Sequence, residues 1–192
     1  VQRDRLVERL RAAGLEVVAT REPGGSPSAE AVRDLLLAHG TAWQPLSEAL
    51  LHAAARSEHL AQTVRPALES GRWVVSDRFS DSTRAYQGWG QNVPLETLDQ
   101  LEGMVVADTR PDMTVILDVA PEVGLARAAG RGQGADRYEA MDLSFHQRLR
   151  EGYRAIAEAA PARCVLIDGS GAEDAVAAEI RNAVRERLGV AV

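Results

Sequence analysis

Four short apolar runs, separated by stretches far too long for hairpin turns, constrain this chain more than any other feature. Leu15-Glu16-Val17-Val18-Ala19-Thr20, Arg72-Trp73-Val74-Val75-Ser76-Asp77, Met113-Thr114-Val115-Ile116-Leu117-Asp118-Val119 and Arg163 to Asp168 read as strands, rich in β-branched residues. Between them, apolar residues recur at helical spacing. A strand joined to the next through a helix returns parallel to it, so the alternation predicts a three-layer α/β domain: a mostly parallel central sheet flanked by helices. Two of the runs end abruptly in a charged pair, Arg21-Glu22 after the first and Asp77-Arg78 after the second. Ligands gather at the carboxyl ends of such strands, so Asp77 and Arg78 stand either at a site or in a plain ion pair closing a strand.

The intervening stretches fill in the helices. Leu6, Val7, Leu10 and Ala13 share a face closed by Gly14, and Ser28 can cap a helix carrying Val32, Leu35 and Leu36 that Gly40 ends. A long helix from near Ser47 presents Leu50, Leu51, Ala54, Ala55, Leu60, Val64 and Leu68 before Gly71, with Pro66 kinking its last turn. Pro94 suits the first position of a helix bearing Leu95, Leu98 and Leu101, and Pro121 opens a short one through Ala128. The last two carry Phe145, Leu149, Tyr153 and Ile156, then Val176, Ile180, Val184 and Leu188. Ser80 to Gly90 reads as too polar for core, with Tyr86 and Trp89 either packing or binding residues.

At 192 residues the chain fits one domain, residues 1–192, with no linker or repeat. No apolar run approaches bilayer-spanning length and no secretory leader pattern is visible. The net charge of -6 argues against broad nucleic-acid binding, though a local arginine cluster can still hold one small anion. Cys164 is the single cysteine, which excludes a disulfide within the chain and suits a reducing cytoplasm. All 22 basic residues are arginine, so lysine chemistry is absent from the chain as written. Guanidinium forks match phosphate oxygens. Arg21 and Arg78 follow strands, whereas Arg127, Arg131 and Arg137 share a glycine-bearing segment that reads as a lid over about 127–139, an arrangement suited to phosphoryl transfer.

Several blocks in order carry a family resemblance: Thr20-Arg21-Glu22-Pro23-Gly24-Gly25, Asp77-Arg78-Phe79, Asp81-Ser82-Thr83-Arg84-Ala85-Tyr86-Gln87-Gly88, Arg110-Pro111-Asp112 and Leu117-Asp118-Val119 with Pro121-Glu122-Val123-Gly124-Leu125. With these the chain resembles the bacterial thymidylate kinases, nucleoside monophosphate kinases of the P-loop NTPase fold. The resemblance implies transfer of the γ-phosphoryl of ATP, with Mg²⁺, to dTMP, in a cytoplasmic homodimer with no nucleic-acid or membrane partner. It implies that Arg78 grips the acceptor phosphate and that Asp77 and Glu22 lie near the metal. It implies that Arg33 and Arg56 lie by the nucleotide, Thr83 and Gln87 bond the base, and Tyr86 packs by the sugar. Arg127, Arg131 and Arg137 correspond to the lid that meets ATP. His52 stands where the family commonly stacks phenylalanine on thymine, which leaves a kinase for another nucleoside monophosphate as an alternative. The family's first strand and Gly-rich phosphate loop, ending Gly-Lys-Ser/Thr, are expected upstream of Val1; without them the chain would be a non-catalytic nucleotide-binding module.

Overall fold

The computed structural model describes residues 1–38, 41–130 and 137–191. Strands β1 (Val17–Arg21), β2 (Trp73–Asp77), β3 (Thr114–Asp118) and β4 (Cys164–Asp168) alternate with helices α1 (Gln2–Ala12), α2 (Pro27–Leu37), α3 (Pro45–His59), α4 (Arg65–Glu69), α5 (Ser80–Thr83), α6 (Leu95–Val105), α7 (Pro121–Ala129), α8 (Leu143–Ala159) and α9 (Glu173–Leu188). The expected α/β architecture with parallel strands is borne out. Among the described residues the strands pair as two parallel ladders, β1 with β2 and β3 with β4, rather than as one continuous sheet. Register sets Arg21 opposite Asp77 and Asp118 opposite Asp168, so charge collects at the carboxyl ends of both pairs.

Helices cover the ladders with the residues their periodicity marked. Val7 and Leu10 of α1 pack on Val17 and partly buried Trp73 and Val75. Val176, Ile180 and Val184 of α9 pack on Ile167 of β4, and Phe145, Leu149 and Ile156 of α8 pack with Ile116 and Cys164. Asp142 caps α8, accepting from the Phe145 amide at 2.7 Å, and Gly14, at φ +85°, follows the end of α1.

Four local expectations change. Ser26, not Ser28, caps α2, because Pro27 takes the first helical position where its missing N–H costs nothing; Gly40 lies outside the described residues. Pro66 does not simply kink a helix: a π-helical turn, Leu60–Val64, precedes α4, because proline supplies no amide to continue the i to i−4 ladder. Leu50 and Leu68 are 48% and 47% exposed, while Glu48 and His59 of α3 are fully buried, so this helix turns a charged stripe inward.

The fourth concerns Ser80 to Gly90, which is helical and largely buried: α5 runs into a π-helical stretch, Arg84–Gly90, packed on α8. Its buried carboxylate is partnered, since Arg163 grips Asp81 with bonds of 2.6 and 2.8 Å and Thr114 adds another at 3.1 Å. Gly90 lets the Phe145 ring approach; a Cβ there would lie 2.5 Å from it. Trp89 packs against Gly152 of α8, which settles it as a packing residue.

Candidate active site

At the carboxyl end of β2 the chain turns through Arg78, whose φ of +69° is rare for a residue bearing a Cβ. Such strain, of order 1–3 kcal/mol, persists where surrounding structure fixes it and clusters at functional sites. The Ser76 hydroxyl donates to the Arg78 carbonyl at 2.7 Å, and the guanidinium lies 4.6 Å from the centroid of the Tyr86 ring. Tyr86 is held edge-on by Tyr138, Phe145 and Tyr153, so the cation rests on a braced aromatic face.

Facing it is a cleft lined by Arg33, His52, Arg56, Arg78, Tyr86 and Gln87, together with Glu22, Thr83 and Tyr138. Small-molecule sites commonly combine an apolar body with a few convergent polar groups. Eight residues expected from sequence to serve the site, Glu22, Arg33, His52, Arg56, Arg78, Thr83, Tyr86 and Gln87, thus share one wall-to-wall cavity. Asp77 stands exposed beside it at the strand tip. Arg127 lies elsewhere, donating to the Gly169 and Ser170 carbonyls at 2.7 Å each, and Arg131 falls outside the described residues. Arg137 forms an ion pair with Glu48 at 2.6 Å.

Two buried networks hold this wall. In the first, Arg56, 5% exposed, donates through Nε to one Glu22 oxygen at 2.8 Å, holds Nη2 in an ion pair 2.7 Å from the same oxygen, and donates through Nη2 to the Thr83 hydroxyl at 3.1 Å. The other Glu22 oxygen meets His59 Nδ1 at 3.0 Å, and His59 Nε2 meets the Thr20 hydroxyl at 2.7 Å. After the cis Glu22–Pro23 peptide, Gly25, at φ +86°, lies so close to Thr20 and His59 that a Cβ would come within 2.4 and 2.6 Å of them. In the second, Glu48 accepts from the Tyr138 hydroxyl at 2.7 Å and from the Gln87 amide at 2.8 Å, and Tyr138 meets His52 Nε2 at 3.2 Å. Burial, and then the charge of Glu48, push the Tyr138 phenol well above its usual range.

Sequence reasoning missed Glu48, His59 and Tyr138. A signal was present: Glu48, His52, Arg56 and His59 recur at helical spacing in an otherwise Ala- and Leu-rich segment.

His52 is neutral. Burial, then the neighbouring Arg56, Arg78, Arg137 and Arg33, lower its pKa to about 3. The unfolded chain protonates the same ring near 6.5, so the folded state binds fewer protons and loses stability as pH falls from about 6.5 toward 3. Melting curves across that range should show a shallower decline for His52→Phe than for the parent; parallel curves would mean the ring is already protonated when folded.

The carboxylates fit a metal only in part. Both oxygens of Glu22, itself 5% exposed, already take nitrogen donors, which suits a buried positioning anion; Asp77 alone of the two is exposed. No group of three or more His, Cys, Asp or Glu among the described residues is arranged to hold a metal ion. Nor is any helix there long and apolar enough to cross a membrane.

Parallel strands that end in charge beside a guanidinium-lined, aromatic-walled cleft define an α/β protein built to bind a small phosphorylated ligand. The family model for thymidylate kinase matches residues 1–180. The thymidylate kinase of Caulobacter vibrioides is 52% identical over 188 residues, 97% of this chain and 89% of that protein. The one from Nitrobacter winogradskyi is 52% identical over 185 residues, 95% of this chain and 80% of that protein. The crystal structure of thymidylate kinase from Ehrlichia chaffeensis superposes with a TM-score of 0.77 at 35% identity, covering 96% of this chain and 89% of that one. The chain belongs to the thymidylate kinase family, a family of nucleoside monophosphate kinases for which ATP is the phosphate donor.

Proposed function

We propose that this protein transfers the γ-phosphoryl group of ATP to dTMP, giving dTDP and ADP, with the acceptor bound in the cleft at the end of β2. The observation that carries the reading is the convergence of Arg78, Arg56 and Arg33 with Tyr86, Thr83 and Gln87 on one cavity. Arg78, set on the Tyr86 ring, would grip the acceptor phosphate with charge-assisted bonds, and Tyr86 would pack by the sugar. Thr83 and Gln87 would hydrogen-bond the base, with the neutral His52 ring forming part of the wall around it. Arg56 and Arg33 complete the positive lining, and Glu22 holds Arg56 in place.

Phosphoryl transfer asks the protein mainly for positioning and for positive charge around the moving group. The lid arginines Arg127 and Arg131 would meet the donor nucleotide, and Arg137, paired with Glu48, would serve the acceptor side of the lid. Mg²⁺ belongs to the same reading as a companion of the nucleotide phosphates, with Asp77 as the nearby exposed carboxylate. A homodimer is part of it too, and Leu46 and Leu50 of α3 and Met104 of α6, exposed at 49%, 48% and 73%, support a helix-mediated interface. Family membership favours catalysis over a non-catalytic nucleotide-binding module.

The test is ADP release by the complete polypeptide with dTMP, dUMP, dGMP and AMP as acceptors. Preferred turnover of dTMP is expected. Absence of any dTMP-dependent turnover would sink the proposal, and preference for another acceptor would transfer the site to that nucleotide.

A further inference from the structure

The Gln87 side chain is 1% exposed, yet it lines the cleft, so its amide meets a ligand in one of two opposite ways. It can offer the NH₂ as a donor or the carbonyl oxygen as an acceptor. Nothing in glutamine itself decides between them.

The neighbour that decides is Glu48, whose side chain has no exposure. Its Oε1 accepts from Gln87 Nε2 at 2.8 Å, Gln91 Nε2 at 3.0 Å and the Tyr138 hydroxyl at 2.7 Å, while Oε2 lies 2.6 Å from Arg137 Nη2. The Arg137 partner suits the ionised form, and an ionised carboxylate can only accept. Gln87 must therefore turn its NH₂ toward Glu48. Its other NH₂ contact, to the Tyr138 hydroxyl, is 3.5 Å long. Gln87 Oε1 makes no hydrogen bond among the described residues, and it is the amide atom left to serve the cleft.

We infer that Glu48 is a positioning residue that sets base choice, fixing Gln87 as an acceptor so that the cleft takes a pyrimidine bearing an imide N–H and disfavours one with a bare ring nitrogen. The inference rests on the proposed function and deepens it. Thymine carries the N–H at N3, between two carbonyls. Cytosine has a lone pair at that atom, which would face the lone pairs of Gln87 Oε1.

The variant that separates this role from simple packing is Glu48→Gln, nearly identical in shape. Charged Arg137 should claim the new amide's oxygen, since charge-assisted bonds are about twice as strong as neutral ones. The new NH₂ would then face Gln87, whose amide would flip and present a donor to the cleft. Calorimetry with dTMP and dCMP on the complete protein reads the result as a ratio of dissociation constants. A tenfold or larger shift of that ratio toward dCMP is expected, because a mismatched buried hydrogen bond leaves polar groups facing without a partner.

Gln87→Met, which has no amide to flip, supplies the second arm. It should reduce the preference by itself, and adding Glu48→Gln should move the ratio no further. A ratio within twofold of the parent in Glu48→Gln overturns the inference, as does an equal shift in the Gln87→Met background. Loss of both affinities in equal proportion also overturns it, marking Glu48 as merely structural. A parent protein without preference for dTMP fails the proposed function itself, a result distinguishable from all of these.

Discussion

Arg78→Ala should lower dTMP-dependent turnover by about two to three orders of magnitude while leaving the melting temperature nearly unchanged. Hydrogen bonds to charged groups contribute about 1.5–3 kcal/mol each, and a guanidinium fork makes two of them to a phosphate. The fold, in contrast, draws little from this side chain, which is exposed at a strand tip and rests on Tyr86. Its backbone is already in the left-handed region, at φ +69°, so alanine inherits the strain without adding to it. Steady-state kinetics beside a thermal melt check both halves. Near-normal turnover would remove Arg78 from the acceptor site, and a large fall in melting temperature would make it a structural residue.

The opposite balance holds for Arg56. Arg56→Ala strands the Glu22 carboxylate, 5% exposed, with only the His59 ring beside it. Breaking one side of a buried ion pair costs about 3–5 kcal/mol, because the remaining charge has lost both water and partner. For a domain of this size that corresponds to roughly 10 °C in melting temperature. Arg56→Leu combined with Glu22→Leu should recover most of the stability, since no charge is then left buried, yet ligand affinity should stay low. Should Arg56→Ala cost less than about 1 kcal/mol, Glu22 is taking up a proton or water in the variant, and the pair is weaker than its geometry implies.

These two arginines divide the site into a part that was legible in the sequence and a part that was not. Arg78 stood out because an apolar run ended in charge, and the structure puts it at the carboxyl end of β2 beside a cleft. The four strands and most helix faces were legible for a similar reason: burial on a sheet leaves a local mark every second or third residue. Ser80 to Gly90 was misread, because local polarity does not reveal that Arg163, 82 residues from Asp81, returns to neutralise it. The inward charge of α3 escaped for the same cause. Periodicity shows that a helix has two faces, and Leu50 on one and Glu48 on the other do not say which meets water.

The sequence by itself determined what depends on neighbours along the chain: four parallel-type strands, the helices that cross between them, charge at the strand ends, and motif blocks that carry family membership. Only the tertiary structure decided which buried charges find partners, because those partners lie far apart in sequence. Glu22 meets Arg56 across 34 residues and Tyr138 reaches Glu48 across 90. A buried carboxylate is stable only once such a partner arrives, so the networks that shape the cleft exist only in the folded chain.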